Sequence, residues 1–456
     1  MTREHARLIR WWITLSVSAL ALAGAFAFLA VLTRTPAVQI LHTAGALRRA
    51  IAGHVTFALL VWLLSFGAVL WLRTFPVTTS ALSKYGFASA TGGVALLLLA
   101  IVLGEGEVIL TDYVPVVQDP LFFMGLLALV SGIGLVAGTS VQGRTDRHAP
   151  AACGMRSAAA VGALVLAALL VSLMRLRAGS AINTEFGFFQ SLFWIPGHLL
   201  QFVNVIAMVS AWYLLLESGF GISLQESRLI CHTFRGYVVL AILLFLTTLA
   251  ADLRTFPSEQ RLSMAMGVVL TLPTIFHIGI ILRILFRGQK RSESPEVAAL
   301  LFSLTLFMGG ILLALVNAGR DSSMWIPAHY HGTLVGGVTM AFMGLTYRIL
   351  TETGASPWPK MAQFQPWLYG LGMLLVMAGM NWAGLLGAPR KTFDPALGDA
   401  ASQWITPMNL MGLGGVVAVI GGAAFVINVL WSLWGYQRET VRSAALEPIP
   451  EGREAL

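Results

Sequence analysis

The sequence predicts an all-α integral membrane protein of twelve transmembrane helices, and three observations carry that reading. Of its 456 residues, 57% are hydrophobic and only 11% are charged. Mean hydropathy is +0.78, well above what a water-soluble surface tolerates. Apolar runs of roughly 20 residues, the length that crosses a hydrocarbon core, recur from one end of the chain to the other, separated by charged or Gly/Pro-rich breaks. The runs fall near 9–33, 51–74, 80–104, 119–138, 155–177, 191–216, 234–252, 262–286, 297–319, 325–350, 366–388 and 405–436. The first is too long for a signal-peptide core and shows no small-residue cleavage site, so it counts as a membrane helix. No break is long enough for a second folded unit. The expected organisation is one membrane domain, 1–437, and a polar cytoplasmic tail, 438–456.

The pI near 9.9 and the net charge of +8 do not imply nucleic acid, because so few charged residues are present. With the N-terminus inside, about two-thirds of the basic residues fall in inner segments, as the positive-inside rule requires. Both termini are then cytoplasmic, in an inner membrane of bacterial type. Cys153 and Cys231 are the only cysteines, and no Cys-x-x-Cys-His occurs. A disulfide and a covalently attached c-type haem are both unexpected, since both cysteines lie on the reducing side.

This topology places four histidines at one depth. His54, near the start of the second helix, His198, in the sixth, and His329 and His331, opening the tenth, all fall in the outer third of the bilayer at about 1.5 Å per helical residue. The arginine count fixed the topology without reference to histidine, so the coincidence is independent evidence for a shared site. His329 and His331 are two residues apart and project about 200° from each other on a helix. One metal cannot take both. Imidazole suits haem iron, and two haems flanking one helix is the simplest reading. The alternative is that each ring hydrogen-bonds a neighbouring carbonyl.

Five stretches bear on the choice: His54 itself, EVILTDYVP (107–115), FWIPGHLLQF (193–202), WIPAHYHG (325–332) and GAPRKTFD (387–394). In these the chain resembles subunit I of the haem–copper oxidase superfamily, nearest its B-type branch, with the likeness extending over essentially the whole chain. The resemblance implies that His54 and His331 clamp a low-spin haem b. It implies that His329 holds a second haem, of b or a type, and that His198 stands where the family binds copper. Arg390 and Lys391 would hold haem propionates. It also implies a respiratory terminal oxidase whose partners are membrane lipid and an electron-donating subunit, cytochrome c or quinol, in a hetero-oligomer.

The pattern breaks at the expected copper site. The family's two adjacent histidines at the outer end of helix 7 are missing from TTLAADLRTF (247–256), where Asp252 and Arg254 stand and pair at most with each other. The helix 6 tyrosine four residues after His198 is Phe202. One histidine is a poor copper site, which makes copper doubtful. No membrane glutamate near His198 suits a nitric oxide reductase-like enzyme either, though that activity stands as an alternative. A haem electron conduit, sensor or assembly protein is the other. His277 reads as a hydrogen-bonded core residue, and His5, His42, His148 and His232 as uninformative. Glu105, Glu107 and Asp112 read as a solvated acidic loop, and Trp11, Trp12, Trp194, Trp325 and Trp404 as an interfacial belt.

Overall fold

The computed structural model describes residues 2–35, 44–75, 81–143, 145, 149–177, 184–222, 224, 227–250, 256–286, 294–320, 323–391 and 402–446. Twelve helices in it are long and apolar enough to cross a membrane, as the hydropathy runs require. We number them α1 (Arg3–Arg34), α2 (Ala44–Thr74), α3 (Ala81–Leu103), α4 (Pro120–Ser140), α5 (Pro150–Arg177) and α6 (Glu185–Phe220). They continue as α7 (Arg228–Ala250), α8 (Phe256–Phe286), α9 (Pro295–Val316), α10 (Trp325–Glu352), α11 (Pro359–Leu385) and α12 (Ile405–Leu446). The expected boundary at 437/438 falls inside α12, which continues to Leu446; residues 447–456 lie outside the described residues. Between α3 and α4 a two-stranded antiparallel hairpin, β1 (Val108–Ile109) and β2 (Val116–Val117), presents the intervening loop to the bundle.

Which helices are inside could not be read from hydropathy. The spanning windows of α2, α6 and α10 are 94%, 83% and 89% buried, whereas no other exceeds 44%. These three carry all four of the histidines singled out above. Lipid offers no hydrophobic drive between helices, so close packing through small residues sets the contacts. A side chain at Gly310 of α9 would collide with the backbone of Thr333 in α10, and one at Gly332 would strike Gly310 in return. The same device seats α3 on α4 through Gly86, Gly93, Gly125 and Gly132, and α11 on α12 through Gly372, Gly379, Gly414 and Gly421.

Two expectations are corrected. Cys153 and Cys231 form a disulfide, with Cα atoms 5.3 Å apart. Each sits one turn into its helix at the same end of the bundle, and Gly154, whose missing side chain makes room for Ser210 and Phe234, lets α5 approach its neighbours. A separation of 78 residues hides such pairing from any linear reading. The interfacial belt is also different from that expected. Trp12, Trp194 and Trp325 are buried inside the bundle, and the exposed tryptophans include Trp358, Trp367, Trp431 and Trp434. Of these, Trp431 makes ring contacts with both Trp358 and Trp434. His5 is also informative: it is buried in α1 with its Nε2 2.9 Å from the Leu72 carbonyl oxygen of α2. Asp252, Arg254, His42 and His148 lie outside the described residues.

Candidate haem site

His54 and His331 come together from the two most enclosed helices. Their ring centres are 6.1 Å apart and their planes differ by 19°. Two bonds of about 2 Å to one metal, each extended by about 1 Å from nitrogen to ring centre, span about 6 Å. Each ring uses Nδ1 against a backbone carbonyl: His54 against Ala23 of α1 at 3.1 Å, and His331 against Pro327, one turn back in its own helix, at 2.7 Å. Hydrogen bonding to a carbonyl and ligation to a metal are therefore not rival readings. The first occupies Nδ1, fixes the ring and leaves Nε2 as the remaining ligand atom.

Local backbone geometry helps to place both rings. His54 stands two residues before the π-helical segment Thr56–Trp62, and His331 opens another, His331–Val338. A π-turn inserts an extra residue into the helical ladder and rotates the turns before it relative to those after it, a device concentrated at functional sites. The first segment is tied to the residue that follows the second, since Trp62 Nε1 donates to Thr339 Oγ1 at 3.1 Å.

Both rings open on one cavity of about 550 Å³, and the same cavity is lined at one end by Thr111, Asp112, Arg390 and Lys391. This end is built as a charged latch. Asp112 accepts from Arg390 at 2.7 and 3.4 Å, from Lys391 at 2.7 Å and from Gln190 Nε2 at 2.7 Å, while its own backbone N–H donates to Gln190 Oε1 at 3.0 Å. Lys391 also donates to the carbonyls of Leu110 and Thr111. It does so from a left-handed backbone, φ +61°, a conformation a lysine adopts only where surrounding contacts hold it. The expected solvated acidic face is thus wrong for Asp112, whose side chain is 8% exposed. Burial raises its carboxyl, but Lys391 and then Arg390 more than reverse this and hold it at about 2. Three charged groups of net charge +1 face the cavity.

His329 points away from His331. Its Nδ1 lies 2.8 Å from the Gly310 carbonyl oxygen of α9, a contact made possible by the Gly310–Gly332 approach. His198 of α6 lies close to His329. His331 thus stands against His54, and His329 has His198 for a neighbour.

Sequence reasoning missed the group that orients His198. Tyr113, from the loop between β1 and β2, places its hydroxyl 2.7 Å from His198 Nδ1, and Trp194 meets the phenol ring edge-on at 5.3 Å. Burial, and then neighbouring Tyr330, keep that phenol protonated well above its ordinary range. Gly197 gives Tyr113 its place, because a Cβ there would lie 2.4 Å from the tyrosine Cβ. Gly197→Ala is accordingly expected to displace Tyr113 from His198 and to cost about 1–3 kcal/mol, the usual penalty of overpacking. Reversible unfolding of the purified variant measures this, and an unchanged midpoint would refute it. Among the described residues, Nε2 of His198 is buried without a hydrogen-bond partner and faces Gly267 of α8, where no side chain intervenes. Phe202 sits beside His198, ring centres 5.7 Å apart. His277 is a core residue, bonded through Nδ1 to the Tyr213 hydroxyl at 2.7 Å.

The family profile of cytochrome c and quinol oxidase polypeptide I matches residues 7–418. The chain belongs to this family. An uncharacterized protein of Aquifex aeolicus is 28% identical over 78% of this chain and 88% of its own length. Cytochrome c oxidase subunit 1 of Thermus thermophilus is 23% identical over 58% of this chain and 51% of its own. The alternative cytochrome c oxidase subunit 1 of Bradyrhizobium diazoefficiens is 25% identical over 54% and 43%. The matched region thus covers about half the length of these named oxidase subunits. A heme-copper terminal oxidase dimer solved by cryo-electron microscopy superposes on all of this chain and 86% of its own with a TM-score of 0.76 at 17% identity, which establishes the shared oxidase fold. This member of the oxidase family is a multi-pass membrane protein, and the family works in multi-subunit complexes with haem cofactors.

The residues fit a haem between His54 and His331: two oriented imidazoles at ligand spacing, an apolar cavity between them and cations at one end. A copper centre is not supplied in the same way. Among the described residues no group of three or more His, Cys, Asp and Glu side chains could hold a metal ion, and residues 251–255 lie outside them.

Proposed function

We propose that this chain is the haem-bearing, electron-transferring subunit of a respiratory oxidase complex, with His54 and His331 holding a low-spin haem and His329 a second haem across α10. The observation that carries the reading is the His54–His331 pair, 6.1 Å apart with near-parallel planes, lining a cavity that is largely apolar and also bears Arg390 and Lys391. Haem iron bound there supplies reversible one-electron chemistry. The chain's own residues do the rest. The Ala23 and Pro327 carbonyls hold the two imidazoles in one tautomer. Arg390 and Lys391, with one net positive charge left after pairing Asp112, attract propionate carboxylates. The buried aliphatic walls exclude water, which keeps the ligand set fixed between oxidation states. On the far side of α10, Gly310 orients His329 and Tyr113 orients His198. In such a complex a partner subunit, cytochrome c or quinol would supply the electrons, His54 and His331 would hold the haem that receives them, and His329 would hold the haem that supplies the chemistry for reducing O₂.

The second reading is a haem electron conduit without dioxygen reduction. It is favoured by one specific feature, Phe202 beside a His198 that lacks the helix 7 histidine pair. A haem and metal inventory of the purified complex tests both. Two haems and one copper per chain support the oxidase and exclude the conduit. Two haems without copper favour the conduit, and the absence of haem refutes both.

A further inference from the structure

The bond between Cys153 and Cys231 conflicts with its expected surroundings. The count of basic residues puts this end of the bundle on the cytoplasmic side, where thiols are kept reduced, yet the two sulfurs are joined. Disulfides that do form on a reducing side are mostly transient, with a catalytic or redox-sensing role. The two sulfurs also differ in access: Cys231 is buried, whereas Cys153 is partly exposed. An incoming thiolate therefore reaches the Cys153 sulfur first.

The helix held by this bond is a peripheral one. α7 offers the bundle a narrow stripe, with Phe234, Tyr237, Ala241 and Leu244 buried and Val239, Leu243 and Leu246 exposed between them. α5 grips it at both ends. At the outer end the Arg175 guanidinium donates to the Thr248 and Leu249 carbonyls at 2.5 and 3.1 Å. At the inner end the grip is the disulfide.

What the inner grip seats is a lid over a buried polar group. Three residues past Cys231, the Phe234 ring lies 4.3 Å from that of His277 in α8, and Tyr237 stacks on His277 at 6.1 Å with planes 9° apart. Gly154, beside Cys153, makes room for Phe234, since a Cβ there would come within 2.8 Å of its ring. Beneath these rings His277 Nδ1 meets the Tyr213 hydroxyl at 2.7 Å, and the Tyr237 hydroxyl meets Thr274 Oγ1 at 2.6 Å. Among the described residues Nε2 of His277 is buried without a hydrogen-bond partner, a want that water would satisfy.

We propose that Cys153–Cys231 is a redox-sensitive lock on α7. Reduction frees the inner end of the helix, shifts Phe234 off His277 and admits water to the His277–Tyr213 pair; oxidation closes it again. Reduction is thiol–disulfide exchange with an external dithiol. One donor thiolate bonds to Cys153 Sγ while Cys231 leaves as a thiolate and takes up a proton. The second donor thiol then displaces Cys153, so one disulfide in the protein is traded for one in the donor.

The test begins in intact cells, where thiols are trapped in acid, tagged before and after reduction, and read by mass. The oxidised fraction is expected to fall when the cells receive a permeant dithiol and to recover with a thiol oxidant. In the purified complex, dithiothreitol is expected to speed amide hydrogen exchange at residues 232–238 at least about tenfold, less than the typical worth of such a cross-link. Exchange at residues 339–352 of α10 should stay unchanged. Cys153→Ala should exchange fast at 232–238 without reductant and respond no further to it. A bond that stays fully oxidised in cells under the dithiol is a fixed cross-link and overturns the proposal. Thiols that stay reduced under the oxidant overturn it too, as does exchange at 232–238 that reduction leaves unchanged. If the variant fails to accumulate, the oxidised and reduced forms of the wild type decide the matter alone.

Discussion

His54→Ala and His331→Ala are expected to give the same phenotype: loss of the six-coordinate low-spin haem spectrum, with retention of that haem weakened by at least about 10–100-fold, the range already seen when only an orienting partner is lost. The equality follows from geometry. The two rings come from different helices, α2 and α10, yet stand 6.1 Å apart on one cavity, each held through Nδ1 by a backbone carbonyl. His329→Ala should spare that spectrum, because its Nδ1 is held by Gly310 on the opposite flank of α10. His198→Ala should spare it too, and remove only whatever its buried Nε2 binds. Optical and electron paramagnetic resonance spectra of the four variants settle the point. Indistinguishable spectra for His54→Ala and His329→Ala would dismantle the two-haem assignment.

Asp112→Asn is expected to be the most destabilising change outside the membrane helices. It leaves Arg390 and Lys391, 19% and 27% exposed, close together without their counter-charge. Breaking a buried ion pair from one side costs about 3–5 kcal/mol, and partial exposure places this site toward the lower end. Adding Lys391→Met should recover part of the loss, because only one cation then remains. The pH dependence has a definite sign. The carboxyl is depressed to about 2 in the folded chain, so its contribution is complete above the unfolded carboxylate range and is lost only as pH falls toward 2. Wild-type stability from this group should be flat between about pH 5 and 8. Denaturation of the wild type, Asp112→Asn and the double variant over that range provides the measurement. A single variant as stable as the wild type would show that the latch carries no such load.

Asp112 also shows how far linear reading reaches. From the sequence it was one of three acidic residues in a loop, and composition favours solvent for such a cluster. Glu107 conforms, making a 3.9 Å pair with Arg48 at the surface. Asp112 does not, because the β1–β2 hairpin turns it inward onto a loop nearly 280 residues away. Tyr113 was invisible for the same reason: nothing near it in sequence announces a contact with His198, and its place depends on a missing side chain at Gly197.

What the sequence determined by itself was whatever depends on local composition and helical period. Twelve apolar runs of spanning length fixed the helices, because a backbone in lipid must satisfy its hydrogen bonds within each segment. The i, i+2 spacing of His329 and His331 led to the expectation that they face opposite flanks, because 3.6 residues make a turn. Only the tertiary structure decided which three helices are enclosed, that Cys153 meets Cys231, and that one π-helical segment lies just past His54 and another begins at His331. It alone placed His54, His331 and Met343 on the wall of one cavity. These depend on which helix faces approach, and that is set by glycines such as Gly310, Gly332 and Gly197 meeting partners far away in the chain. A glycine in an apolar run reads the same in sequence whether it faces lipid or another backbone.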